Sequence, residues 1–187
     1  MVSITALWLP ILLSAVIVFV ASSIIHMALR IHKSDYRKLP DEDKVTDALR
    51  STGVTPGRVY VFPYCSMKDM KSPEVQEKFK RGPVGLLTIR PSGAPGMGKF
   101  LVQWFLYCIV VSIFTACVVA STQMPGTEYV RIFHLAGIVA FAGYSLALIQ
   151  NAIWKGETWG VTIKHIVDGL IYALLTAGTF GWLWPKV

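Results

Sequence analysis

The sequence predicts an all-α membrane protein: a four-transmembrane-helix bundle with a small αβ element in one long loop. Three observations carry this. Hydrophobic residues make up 53% of the 187 and charged residues 16%, where a soluble domain carries about 25% charged. Mean hydropathy is +0.52, and the apolar residues stand in four long blocks. The tryptophans Trp8, Trp104, Trp154, Trp159, Trp182 and Trp184 all fall near block ends, as an interfacial aromatic belt requires.

The first span covers residues 4–29 and ends at Arg30. A hydrocarbon core of roughly 30 Å needs about 20 helical residues, and Pro10 is tolerated in a first turn. Met1-Val2-Ser3 carries no cationic side chain, and no A-x-A site precedes the loop, so a retained helix is expected rather than a signal peptide. The other spans are 100–123, 129–153 and 160–184. Met124-Pro125-Gly126-Thr127 and Trp154 to Trp159 form short connections that make them antiparallel neighbours.

Residues 30–98 form the loop. From Arg30 to Lys99 there are 14 Lys/Arg against 8 Asp/Glu. Such an excess beside membrane helices points to anionic headgroups and to topology control, not to nucleic acid, and the lipid bilayer is the expected partner. The cations flank the spans at Arg30, Lys33, Arg37, Lys38, Arg90, Lys99 and Lys155, with only Arg131 and Lys186 on the other side. The positive-inside rule then makes the loop of this multi-pass protein cytoplasmic and turns both termini outward, which in a bacterium means the periplasm. Within the loop, Pro40 to Arg50 reads as a helix stopped by Gly53. Arg58 to Phe62 and Val84 to Ile89 read as strands. Ser72-Pro73-Glu74 reads as the capped start of a helix to about Arg81.

No complete catalytic, nucleotide or metal signature is present. Gly93 to Phe100 approximates a P-loop, but Phe100 replaces the magnesium-binding hydroxyl and Pro95 removes an N–H donor. Cys65, Cys108 and Cys117 lack zinc-like spacing. Cys65 has no histidine near it in sequence to make it a nucleophile. Small residues form stripes at Cys108, Ser112, Ala116 and Ala120; at Ala136, Ala140, Gly143 and Ala147; and at Gly169, Ala173, Ala177 and Gly181. These permit close backbone approach, within one bundle, in a homo-oligomer or against a membrane-protein partner.

The fourth span carries Lys164, His165 and Asp168, with Asp168 roughly 13 Å along the axis from Trp159. His165, Asp168, Tyr172, Thr176 and Thr179 share a helix sector apart from the glycine-alanine stripe. An ionised Asp at mid-span costs about 2.5–3.5 kcal/mol on insertion scales, so it should be paired or hydrated. Lys164 and His165 offer intrahelical partners. His26, Gln103, Tyr107, Gln150 and Asn151 lie at similar depth on the other spans and extend the candidate polar site.

His26 and His165 share a depth at which bundles hold haem. A zinc set of His26, His165 and Asp168 falls short of the clear ligand set that metal hydrolysis requires. No cofactor or metal is therefore predicted, haem being the one alternative kept. Met67 to Glu74, Gly82-Pro83-Val84-Gly85 and Asp168-Gly169-Leu170-Ile171-Tyr172 resemble a family of small bacterial inner-membrane proteins without an assigned activity. The resemblance implies bacterial origin and topology alone. The expected role is a non-enzymatic structural, scaffold or accessory subunit. The alternatives are a small oligomeric transporter or proton/ion pathway using Asp168 and His165, and a haem-binding redox protein.

Overall fold

The computed structural model describes residues 2–94 and 96–186. It divides into a helical bundle, residues 2–36 and 96–186, and a loop unit, residues 37–94. Four helices are long and apolar enough to cross a membrane: Ile4–Ala28, Met97–Thr122, Tyr129–Lys155 and Trp159–Trp182. Apolar segments of this length satisfy their own amide groups, which lipid cannot do for them.

The first span is not uniform. A 3-10 turn, Ile4–Leu7, leads into α1, Trp8–Ser23, which relaxes into a π-turn at Ile24–Ala28. There the Leu29 N–H reaches back to the Ile24 carbonyl at 3.0 Å. Leu29 is extended, and a second 3-10 turn comes next at Arg30–Ser34. In the loop unit lie α2 (Glu42–Ser51), β1 (Arg58–Phe62), α3 (Pro73–Arg81) and β2 (Gly85–Ile89). The second span is α4, Met97–Thr122. The third is broken at Ser145 into α5 (Tyr129–Tyr144), a 3-10 turn and α6 (Ile149–Lys155). The fourth is α7, Trp159–Trp182.

In the bundle α1 packs on α4 and α7, and α5 packs on α4 and α7, closing a four-membered ring. One core cluster gathers Leu7, Val119, Ile132 and Phe180 toward the Gln123 end. The other gathers Val18, Cys108, Tyr144 and Tyr172 toward the His26 end. Most of the small-residue stripe positions are buried within the chain: Cys108, Ser112, Ala116, Ala120, Ala136, Ala140, Gly169, Ala173 and Ala177, whereas Gly143 and Ala147 are exposed and Gly181 is half-buried. In lipid this close approach, rather than water exclusion, supplies the packing energy. The tightest place is Gly169, where an added Cβ would collide with the Ser145 Oγ and meet the Tyr144 carbonyl oxygen at 3.1 Å. On α7 the apolar side chains of Ile163, Val167, Leu170, Ile171 and Leu174 are exposed.

Four of the six tryptophans, Trp8, Trp154, Trp159 and Trp182, point outward, as a belt requires. The other two point inward because each indole N–H finds an internal acceptor. Trp184 donates to the Met124 carbonyl at 3.0 Å and Trp104 to the Ser22 Oγ at 2.7 Å.

The loop unit holds an antiparallel β1–β2 pair with Arg58 opposite Ile89, Tyr60 opposite Leu87 and Phe62 opposite Gly85. Ser72 caps α3, its Oγ accepting from the Val75 N–H at 3.3 Å, with Pro73 at the first helical position. None of the described residues 37–94 is buried. A unit this small cannot build a core from its own side chains.

Candidate functional site

The π-turn and the 3-10 turn after it return the chain onto α7, and this places histidine and carboxylate side chains together. A π-turn inserts an extra residue per hydrogen-bonded ring, a local distortion often found at functional sites. His26 lies within it. Six residues later His32 sits on the 3-10 turn, and Asp35 stands at its end. From α7 come Lys164, His165 and Asp168, on one face by their i, i+1 and i+4 spacing.

Asp168 is the centre. Its Oδ2 lies 2.9 Å from His32 Nε2, 3.8 Å from His26 Nε2 and 3.8 Å from His165 Nδ1. The three imidazoles cluster, with ring centroids 4.4 Å apart for His26 and His32, whose planes are tilted by 33°, 5.1 Å for His32 and His165, and 6.2 Å for His26 and His165. The Asp168 side chain is 8% exposed and that of His32 11%. Despite the 2.9 Å approach, Asp168 Oδ2 and His32 Nε2 both lack a hydrogen-bond partner among the described residues. Close contact without bonding geometry at two buried polar atoms is unusual, since such groups are nearly always satisfied.

Behind this pair lies a clasp. His32 Nδ1 and Asp35 Oδ2 are 2.6 Å apart. Lys164 Nζ donates to Asp35 Oδ1 at 2.6 Å, to Ser34 Oγ at 2.9 Å and to the Ile31 carbonyl at 3.0 Å. The hydrogen bond from Lys164, with a smaller contribution from His32, holds the Asp35 carboxyl below the ordinary carboxylate range despite the opposing effect of burial. Lys164 thus pairs with a carboxylate 129 positions away rather than with its helical neighbour Asp168, the intrahelical partner that sequence spacing offered.

Of the residues singled out in the sequence, His26, Lys164, His165 and Asp168 come together. Tyr172, one turn beyond Asp168, lies in an aromatic group with Trp104 and Tyr144. Its hydroxyl is buried without a partner among the described residues. Gln103 and Gln150 are exposed on their helices. The Tyr107 hydroxyl donates to the Gly143 carbonyl at 2.5 Å. Asn151 lends its carbonyl to the Glu157 N–H at 3.2 Å. These four do not join Asp168. His32 and Asp35 do, and sequence reasoning missed both by ending the first span at Leu29 and assigning residues from Arg30 onward to a basic loop. The available signal was the His32/Asp35 spacing of three, which aligns side chains on a 3-10 turn.

The chain is 34% identical over 67 residues to a protein described as Wtf element wtf15 from Schizosaccharomyces kambucha, a stretch covering 36% of this chain and 26% of that relative. The protein of the same description from Schizosaccharomyces pombe (strain 972 / ATCC 24843) matches to the same extent. The similarity is partial. The chain spans about a quarter of the length of the curated relatives it matches, and their fungal source lends no support to the bacterial origin expected from sequence. No family description matches the chain, and no solved structure matches it.

Proposed function

We propose that this multi-pass membrane protein binds and passes a proton or small cation, with Asp168 and His165 as the groups that carry it. One observation carries the reading: a buried Asp168 carboxylate with an unsatisfied oxygen, ringed by three imidazoles. Intramembrane carboxylates beside histidines are the usual components of proton and ion relays. Polar groups continue deeper into the bundle, at Tyr172, Tyr144, Thr176 and the buried Ser14–Ser112 pair at 3.0 Å. Beyond them Leu7, Ile132 and Phe180 are fully buried, so passage through one chain requires rearrangement or a second copy. Proton uptake into vesicles carrying the purified protein, followed with an internal pH dye, tests the reading. Asp168→Asn should lower the rate at least about tenfold, the scale of losing one relay step. An unchanged rate removes Asp168 from the mechanism.

The scaffold or accessory-subunit reading is supported by the loop unit. Its exposed Val59, Tyr64 and Met67 have no core to enter, and a partner or headgroup layer would cover them. Native pull-down of the full chain tests it, and a partner-free monomer counts against it. Haem is less well supported, because His26 and His165 both approach one Asp168 oxygen at 3.8 Å and the His32 ring lies 4.4 Å and 5.1 Å from theirs, which leaves no room for a macrocycle. For orientation, we infer from the loop cations a cytoplasmic loop with both termini on the opposite side of the membrane. A bacterial inner membrane rests on the family resemblance alone.

A further inference from the structure

We propose that His26, His32 and Asp168 form a binding site for a divalent first-row transition ion of the zinc class, with Asp35 orienting His32 from behind. The proposal deepens the cation reading of this cluster and rests on it.

The ligand atoms of these three residues all lie within 4.8 Å of one another. Zinc bonds of about 2.0–2.1 Å at tetrahedral angles set ligand atoms about 3.3 Å apart. The observed 2.9 Å and 3.8 Å separations from Asp168 Oδ2 bracket that spacing, so small side-chain movements would complete the geometry. A direct His32–Asp168 hydrogen bond would need the ring N–H aimed at Oδ2. The structure lacks that alignment, while a cation set off the line between the two atoms satisfies both.

The tautomer agrees. Asp35 Oδ2, 2.6 Å from His32 Nδ1, can only accept as a carboxylate and so favours the Nδ1–H tautomer, in which Nε2 turns a lone pair toward Asp168. Metal-ligating histidines characteristically send their other N–H to a carboxylate, which fixes ring orientation and raises ligand basicity. Lys164 neutralises Asp35, so the ion meets the single uncompensated charge of Asp168. A cavity of about 420 Å³ lined by His26, Met27, Leu29, Arg30, His32 and Lys33 adjoins two of the three ligands and would give a fourth ligand access. Two imidazoles and one carboxylate suit zinc and its neighbours better than magnesium or calcium, which prefer all-oxygen shells.

The test is Zn²⁺ titration of the full chain in detergent at about pH 7.5, well above the usual histidine range, in competition with a chromophoric chelator. A single equivalent should bind. Asp35→Asn should weaken binding by about 10–100-fold, as outer-shell changes do. His32→Gln and Asp168→Asn should each weaken it further, and His134→Gln, on a residue away from the cluster, should leave it unchanged. Circular dichroism of each variant separates ligand loss from misfolding, and Co²⁺ in place of Zn²⁺ gives a visible spectrum that reports the ligand set directly. Folded wild-type protein that takes up no Zn²⁺, or His32→Gln binding as wild type does, overturns the assignment. Proton uptake in zinc-free vesicles keeps the two readings apart. Asp168-dependent uptake without Zn²⁺ binding leaves the pathway and sinks the metal site, and Zn²⁺ binding without uptake does the reverse.

Discussion

Lys164 Nζ sits 2.6 Å from Asp35 Oδ1, and the Asp35 side chain is only 2% exposed. This pair fastens the segment after the first span to the fourth span. Lys164→Met leaves the carboxylate buried without its cation. Removing one partner of a fully buried pair costs about 3–5 kcal/mol. The Lys164 side chain is 30% exposed, so a loss of about 1–3 kcal/mol is expected once solvent screening is counted. Thermal unfolding in detergent measures it. Trypsin cleavage after Arg30 and Lys33 should also accelerate, and adding Asp35→Asn should restore part of the loss. An unchanged cleavage pattern would show that the clasp does not hold this segment.

Gly169→Ala drives a Cβ into Ser145 Oγ and the Tyr144 carbonyl. Overpacking of this kind costs about 1–3 kcal/mol. Ser145→Gly in the same chain should recover only part, since the Tyr144 backbone cannot retreat as a side chain can. Gly160→Ala, where nothing lies within 4 Å of the new Cβ, should be neutral. Melting temperatures of the three variants decide the matter, and equal effects at positions 160 and 169 would contradict the packing described.

Ser72→Ala removes the cap of α3 and should cost about 1 kcal/mol of local helix stability. Amide exchange should speed up across Pro73–Arg81 and stay constant in α4 and α7. Faster exchange in the bundle would mean that the loop unit stabilises it, contrary to the absence of a core in residues 37–94.

Cys65 reports orientation. Cys108 is buried and Cys117 half-buried among bundle residues, while Cys65 belongs to the loop unit. A membrane-impermeant maleimide added to intact cells should leave Cys65 unmodified until the membrane is opened. Labelling from outside would reverse the inferred orientation.

The four spans were legible because about 20 apolar residues in a row have few alternatives to a membrane helix. Strand β1 and the cap at Ser72 were legible for a local reason as well: alternation and cap chemistry are properties of a few adjacent residues. The cluster was legible only in part. Asp168 in an apolar run declares its own cost, and Lys164, His165 and His26 are reached by depth. His32 and Asp35 were hidden because the π-turn and the reversal at Leu29 depend on docking against α7, a contact that hydropathy does not encode. Gln103, Gln150 and Asn151 mislead for the opposite reason: helix ends are polar whether or not they face a shared site.

The interruption at Ser145 gives the third span a mechanical property that its neighbours lack. Its 16-residue rod, Tyr129–Tyr144, is locked by close contacts against the fourth span, while the seven-residue stub Ile149–Lys155 has no buried residue of its own. A bilayer thinner or thicker than the bundle prefers is accommodated by kinking or tilting where that is cheapest. Here the cheapest place is the stub. Changes in lipid thickness should therefore tilt that one end piece and leave the register at Gly169, and with it the depth of Asp168, undisturbed.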